Sequence, residues 1–208
     1  MIPEAPPGVG SPLPAPSLLH DLRAATRFHH RDLEDDLSLT SRALTRDSYA
    51  QLLGLFYGFH RMHEPMLDRL FAGDEFWPPR RRLEPIVHDL RLLGRTETDL
   101  TDLPCAEVPP IGSRAGGLGC LYVFEGATLG GQVIARHLAC SGDLPREAKS
   151  YFAGRGRRAG PMWRDTCAIL EREVAPGDRP EAVAAACAVF SALHAWLAPF
   201  IEAGRVGT

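Results

Sequence analysis

The stretch GCLYVFEGATLGGQVIARHL, residues 119–138, decides how the rest of the sequence is interpreted. From Ala115 to Ala135 the only charged residue is Glu125, and this length is close to that of a membrane-spanning helix. A carboxylate near the bilayer centre would cost roughly 3 kcal/mol, and the glycines lower the hydrophobicity of the segment. We therefore predict a buried, glycine-rich central helix and no membrane partner.

Three glycines, Gly126, Gly130 and Gly131, lie inside this predicted helix. Glycine in a helix interior costs about 1 kcal/mol relative to alanine, so three of them indicate a specific use. Two uses stay open: a close helix–helix crossing, or a flat ligand lying against backbone where no Cβ intrudes. A phosphate-binding loop is disfavoured, because neither a strand nor a GK[ST] motif accompanies the glycines.

The remaining sequence predicts helices joined by short breaks, with no alternating runs of strand length, and therefore an all-α fold. Asp178 and Glu181 predict a capping box at the start of the last helix. We expect residues 94–112 to form a loop with at most a short turn. The other predicted helices cover residues 17–37, 45–71, 80–93, 161–173 and 178–202.

The composition is that of one globular domain. The chain has 208 residues, 45% of them hydrophobic, and a net charge of −3, which gives no basis for a nucleic-acid partner. Residues 1–16 contain six prolines and two glycines and do not resemble a secretory signal, so we predict a disordered tail before a domain at 17–204. Five widely spaced cysteines without a CxxC predict free thiols and a cytoplasmic location.

A polar stripe follows one face of the first predicted helix, LRAATRFHHRDLEDDL. Its members, at steps of four, three and four residues, are Arg23, Arg27, His30 and Glu34. A histidine with a carboxylate one turn later suits an axial metal ligand, because the second ring nitrogen can donate to the carboxylate and fix the tautomer. The arginines could bind an anionic cofactor edge. Spacing alone also permits a solvated face with an ordinary His–Glu contact.

The neighbouring histidine, His29, could be confused with the ligand. Its partner four residues on is Leu33, so it lacks an orienting carboxylate. We interpret His29 as a packing or surface residue.

Together the two segments resemble the heme oxygenase family. Residues 22–37 are similar to its proximal helix, in which a basic residue and Ala-Thr precede the ligand histidine and a glutamate follows one turn later. Residues 119–138 are similar to its distal helix, especially in the bacterial branch found beside bacteriophytochromes. YAQLLGLFYGFH (49–60) and AGPMW (159–163) resemble that branch too. The resemblance implies a single-domain helical bundle with heme between the proximal and distal helices.

The resemblance also implies roles for residues on the heme's proximal side and edge. His30 would be the iron ligand, with Glu34 as the acceptor for its other ring nitrogen. Arg23 and Arg27 fall where the family has basic residues near the heme propionates, and Arg164 falls on a third such position.

On the distal side, Gly126, Gly130 and Gly131 match the glycines that let the distal helix bend over the heme. One departure from the family pattern concerns residue 127, directly after Gly126. Animal-type members have an aspartate directly after the first of these glycines, and here that residue is Ala127. Bacterial members often lack the aspartate as well, so activity is still expected, with a proton-delivery network built differently.

The implied activity is the O₂- and electron-dependent cleavage of heme to biliverdin, CO and ferrous iron, with heme b as both cofactor and substrate. Electrons would come from an external ferredoxin or reductase, or from ascorbate in vitro, because the sequence has no flavin or nicotinamide fingerprint. Biliverdin could supply a bacteriophytochrome, and iron release is a second implied role.

Three alternatives stay open at this stage. The first is a non-catalytic heme carrier or sensor with the same fold. The second is a module that hands biliverdin to a phytochrome. The third is a thiamin-degrading or quinone-cofactor enzyme of the same helical superfold, against which the His30–Glu34 pair argues.

Overall fold

The computed structural model describes residues 17–41, 43–140, 144–145 and 147–206, and this part of the chain contains helices and no strands. The all-α prediction is confirmed, whereas the predicted tail at 1–16 lies outside the described residues. The described helices are α1 (Leu18–Leu37), α2 (Arg46–Leu70), α3 (Leu83–Leu92), α4 (Glu97–Asp102), α5 (Arg114–Ala139), α6 (Ser150–Ala153), α7 (Ala159–Glu173) and α8 (Arg179–Val206).

Helices α1 and α2 begin where hydroxyl side chains can cap them. Ser17 accepts a hydrogen bond from the His20 backbone N–H, and Thr45 accepts one from Ser48 N–H. Each bond satisfies one of the backbone donors that a helix start leaves without an intrahelical partner. The predicted starts of α1 and α2 are therefore confirmed.

Two local predictions were wrong. Helix α3 begins at Leu83 and not at residue 80, because Pro78–Arg80 forms a separate 3₁₀ turn. The predicted loop at 94–112 contains α4, whose start is a capping box between Thr96 and Asp99.

The expected Asp178–Glu181 box also has a different form. Asp178 ends a 3₁₀ turn, Pro176–Asp178, and the Glu181 carboxylate accepts a hydrogen bond from Ser113 Oγ at 2.6 Å. Glu181 thus links α8 to the start of α5.

Helices α5 and α8 cross at the centre of the domain. A Cβ placed on Gly119 would lie 2.1 Å from the carbonyl oxygen of Ala182, so the two backbones approach closely enough that only glycine fits. Helices α1 and α2 also pack against α8, and α6 and α7 pack against α5. Residues of all these helices form one hydrophobic core.

Two segments, Arg114–Ala139 and Pro176–Gly204, are long and apolar enough to cross a membrane by length and composition alone. Both also lie in the core, where 50% and 44% of their most apolar windows are buried inside the protein. This burial agrees with the predicted central helix of a globular domain. All five cysteines are free, as predicted.

The α5–α8 crossing generates a stability prediction. We expect Gly119→Ala to lower the free energy of unfolding by about 3 kcal/mol, because the added methyl group overlaps a backbone carbonyl that cannot rotate away. Gly160→Ala is the matched control, since its Cβ would lie 4.0 Å from the nearest atom, an Arg164 side-chain nitrogen. The control should be neutral or stabilise by up to about 1 kcal/mol. Equal effects of the two substitutions in urea unfolding would contradict the close crossing.

Candidate functional site

A cavity of about 760 Å³ lies between α1 and α5. Side chains of α2, α6, α7 and α8 close it, and its volume falls in the range of small-molecule sites. The predicted site residues that line it are Arg23, Arg27, His30, Glu34, Gly126, Gly130 and Gly131.

His30 and Glu34 meet on the α1 wall of this cavity. The Nδ1 atom of His30 lies 3.1 Å from Oε2 of Glu34, and the histidine side chain is 49% exposed. This contact directs Nδ1 to the carboxylate and leaves Nε2 available as a ligand. The neighbouring His29 instead stacks on Phe190, with ring centroids 6.3 Å apart, and it does not line the cavity.

Two arginines stand at the exposed rim. Within the described residues, neither Arg23 nor Arg27 forms an ion pair with a carboxylate. Arg27 lies over the Phe28 ring, 4.3 Å from its centroid. Guanidinium groups that have no carboxylate partner in the described part of the chain suit a ligand that carries carboxylates. Arg164 differs: it is exposed on α7 and does not line the cavity, although its neighbour Trp163 does.

The three glycines of α5 that were predicted to form the site serve two purposes. A Cβ on Gly130 would have Glu34 Oε1, 4.0 Å away, as its nearest neighbour, so this glycine opens toward α1. A Cβ on Gly126 would make an ordinary contact, at 3.7 Å, with the Trp163 ring. A Cβ on Gly131 would lie 2.7 Å from the Phe152 carbonyl oxygen, so Gly131 is required for packing against α6. Helix α5 runs without a break across all three.

These features fit a flat ligand with a metal and an anionic edge. The bare backbone at Gly130 faces α1, where a histidine nitrogen is available, and a side chain at that position would fill the gap. The arginines stand where an anionic edge would reach solvent. One histidine suffices for a metal whose equatorial ligands belong to the bound molecule.

The deep end of the cavity contains polar residues that the sequence analysis missed. His60 Nε2 lies 3.1 Å from Tyr151 Oη, and the Arg82 guanidinium donates to the Tyr151 carbonyl oxygen and covers its ring at 4.8 Å. All three line the cavity and are buried. A signal existed for one of them: His60 follows Phe56 by four residues, on the apolar face of α2.

Behind His60 lies a second buried group, Glu64. Its carboxylate accepts hydrogen bonds from the backbone N–H groups of Arg82 at 2.6 Å and Leu83 at 3.0 Å, and so caps α3. Burial raises the pKa of Glu64 to about 7, against the opposing effect of those two donors. Burial also lowers the pKa of His60 well below its usual value, and nearby Arg82 and His63 act in the same direction.

The buried Glu125 connects α5 to two arginines outside the long helices. Its carboxylate lies 2.8 Å from an Arg155 guanidinium nitrogen and 3.7 Å from Arg80 Nε. Two turns later Gln132 donates to the Gly156 carbonyl oxygen at 3.0 Å. The segment between α6 and α7 is therefore bound to α5 at two points, which limits how far α5 can shift.

Comparison with known proteins identifies relatives of the whole domain. No family model matches the chain. A heme oxygenase of Xanthomonas campestris pv. campestris (strain 8004) is 35% identical over 157 residues, which cover 73% of this chain and 90% of that protein.

Two solved structures share the fold. The heme oxygenase from Leptospira interrogans has a TM-score of 0.71 at 20% identity and covers 90% of this chain and 100% of its own. Heme oxygenase-1 from the cyanobacterium Synechocystis sp. PCC6803, solved in complex with heme, has a TM-score of 0.68 at 16% identity and covers 92% and 97%.

The buried carboxyl group of Glu64 generates a prediction about pH. Its pKa rises from 4.5 to about 7 on folding, so between these values the folded protein keeps a proton that the unfolded chain has released. The resulting stabilisation is complete below pH 4.5 and is lost as the pH rises through 7. Glu64→Gln retains an acceptor for both N–H donors but does not titrate.

The stability of the wild type relative to Glu64→Gln should therefore fall by up to about 3 kcal/mol between pH 4.5 and pH 8. Urea unfolding of both proteins at a series of pH values measures this difference. A difference that stays constant over the whole range would contradict the raised pKa.

Proposed function

The chain belongs to the heme oxygenase family of heme-degrading oxidoreductases, and on that premise we propose that it cleaves heme b to biliverdin, CO and ferrous iron. The observation that carries the proposal is the pairing of His30 with Glu34 across the cavity from the open backbone of Gly130. Bound heme supplies both the iron at which O₂ reacts and the macrocycle that is cut. The protein's own residues hold and orient the heme and supply protons.

His30 is the proposed iron ligand, through Nε2. The contact between its Nδ1 and Glu34 supports this role, because a carboxylate at that nitrogen orients the ring and keeps the tautomer in which Nε2 is free. A neutral imidazole also avoids the strong electron donation of a thiolate, which would favour O–O cleavage.

Arg23 and Arg27 are the proposed contacts of the heme propionates. Their position at the rim supports this, because charged carboxylates can stay near solvent there while the ring enters the apolar part of the cavity. Arg164 remains a proposed third contact, and it would have to turn toward the cavity to make one.

Gly126 and Gly130 are the proposed distal surface. With no side chain at these positions, the heme can lie close to the α5 backbone. For Gly131, the contact with Phe152 supports a packing role in addition to the proposed distal one.

The protein is proposed to act in the cytoplasm with electrons from a ferredoxin or reductase. Biliverdin would serve a bacteriophytochrome, or iron would be released for other use. Incubating the protein with hemin, O₂ and ascorbate tests the proposal. Replacement of the heme spectrum by that of biliverdin is expected, whereas a stable heme spectrum would favour a heme carrier or sensor.

The ligand assignment is tested by a pair of adjacent histidines. His30→Ala should abolish the native ligation of bound heme, because the substitution removes Nε2, the proposed iron ligand. His29→Ala should leave ligation intact, since His29 does not line the cavity. Absorption and resonance Raman spectra of both variants with hemin provide the measurement. An unchanged ligation spectrum in His30→Ala would exclude His30.

The propionate contact is tested at Arg27. A charge-assisted hydrogen bond to a carboxylate contributes about 1.5 kcal/mol or more where water is partly excluded, and an exposed ion pair contributes less. Arg27→Ala should therefore weaken hemin binding about tenfold. It should also change the mixture of biliverdin isomers, because the contact fixes how the heme is rotated. Arg27→Lys should bind better than Arg27→Ala yet still alter the isomers. Hemin titration and product chromatography measure both effects. Wild-type affinity and isomer composition in Arg27→Ala would show that Arg27 lies on a solvated helix face and does not contact heme.

A further inference from the structure

The ring of His30 has a single polar restraint in the described part of the chain. Its Nδ1 atom contacts Glu34, whose side chain is 63% exposed, so water competes for that contact. A hydrogen bond at one ring atom fixes where that nitrogen points, but it leaves the ring plane free to turn about the line to the carboxylate. A fixed imidazole plane therefore needs a second contact.

Phe190 of α8 provides such a contact. Its ring centroid lies 6.1 Å from that of His30, and the two planes meet at 72°, which is an edge-to-face arrangement. Aromatic rings prefer this arrangement at centroid distances of about 4.5–7 Å. Phe190 lines the cavity and is only 7% exposed, so the surrounding core restricts its own movement.

The same phenylalanine also contacts the preceding histidine. The rings of His29 and Phe190 are stacked, with centroids 6.3 Å apart and planes at 11°. Neighbouring residues of a helix point about 100° apart around its axis. A rotation of α1 that brought one histidine closer to Phe190 would therefore move the other away. Phe190 thus restricts the rotation of α1 in addition to contacting the His30 ring.

A polar contact joins α1 to α8 one turn beyond Phe190. His194 Nε2 lies 2.8 Å from Oδ2 of Asp36. Phe190 and His194 are four residues apart, so they lie on the same face of α8. Helix α1 therefore meets this face beside the two histidines and again near its own C-terminal end. Because the cavity separates α1 from α5, the position of His30 depends on the packing of α1 against α8 and α7.

We propose that Phe190 is a positioning residue for His30: its ring sets the plane of the imidazole and so the direction in which Nε2 is presented to the cavity. This inference rests on the proposed function, because the direction of Nε2 has a consequence only when His30 binds iron. Phe190 and Glu34 have separate roles. The carboxylate selects the tautomer, and the phenyl ring selects the plane.

A contribution to core packing alone is the competing explanation, because Phe190 belongs to the hydrophobic core. Phe190→Leu removes the ring and keeps an apolar side chain. Phe56→Leu is the matched control. Phe56 is also 7% exposed and lines the same cavity, but its rings of contact are Tyr151 and Phe152, with centroids 5.0 and 5.8 Å away. The two substitutions remove the same atoms from equally buried positions, and within the described residues only Phe190 makes a ring contact with His30.

The first measurement uses nuclear magnetic resonance of the heme-free protein. Nuclear Overhauser cross-peaks should connect ring protons of His30 and Phe190, because centroids 6.1 Å apart bring the ring edges closer still. In Phe190→Leu the His30 ring protons should shift, since the ring current of Phe190 is lost. In Phe56→Leu they should keep their wild-type shifts. Missing cross-peaks, or His30 shifts in Phe190→Leu that equal those of the wild type, would overturn the contact.

The second measurement is electron paramagnetic resonance of the low-spin ferric complex with hemin and azide. The g values of such a complex depend on the plane of the axial imidazole, and their spread depends on how tightly that plane is held. Phe190→Leu should shift and broaden the signals while the histidine ligand is retained. Phe190→Tyr keeps the ring and should restore the wild-type signals, and Phe56→Leu should leave them unchanged.

Hemin titration accompanies the spectra. Both leucine variants should bind hemin within about tenfold of the wild type, because a smaller side chain in the cavity wall removes some apolar contact and spares the ligand. If Phe190→Leu does not fold, Phe190→Met fills a similar volume without a ring and should give the same altered signals.

Wild-type g values in Phe190→Leu or Phe190→Met, or equal changes in Phe56→Leu, would overturn the positioning role. A wild-type protein that binds no hemin, or whose ligation survives His30→Ala, would instead contradict the proposed function. The cross-peaks of the heme-free protein distinguish the two failures, because they do not require bound heme.

Discussion

The backbone of helix α5 has to pack directly against that of α8 while a cavity is kept between α5 and α1. At Gly119 it lies against the Ala182 carbonyl of α8, where a Cβ would come within 2.1 Å. Eleven residues further along, at Gly130, it faces α1 beside the cavity, and the nearest atom to a Cβ, Glu34 Oε1, would be 4.0 Å away. The same residue type thus closes the core at one end of the helix and keeps a cavity open at the other.

Holding that gap requires more than missing side chains, because apolar helices would gain free energy by closing it. The buried Glu125 supplies a restraint, since its carboxylate pairs with Arg155 and Arg80 and a large displacement of α5 would break these contacts. Breaking a buried ion pair is strongly unfavourable even where the pair adds little net stability. The charge at Glu125, which argues against a membrane span in the sequence, fixes the position of the helix in the fold.

The sequence predicts those parts of the site whose residues lie on a single helix. His30, Glu34 and the two rim arginines lie on one helix, so their common face follows from helical periodicity alone. Arg164 had to be assigned across a loop, and it lies outside the cavity lining.

The deep end joins α2, the start of α3 and α6, and no periodicity relates His60 to Tyr151, 91 residues later. The different roles of Gly130 and Gly131 could not be predicted from the sequence either. Only the position of the Phe152 carbonyl oxygen of α6 shows that Gly131 is required for packing.

The cavity is electrostatically asymmetric, and this restricts how an amphipathic ligand can enter. The arginines at the exposed rim face solvent, so their charges lose little hydration free energy, and ligand carboxylates can remain hydrated there. At the deep end the Arg82 guanidinium is buried but already covers the Tyr151 ring and donates to its carbonyl oxygen. A ligand carboxylate would have to lose its hydration to reach that end, at a cost of several kcal/mol. A ligand with one anionic and one apolar edge therefore enters apolar edge first, which brings that edge to the aromatic and polar groups around His60.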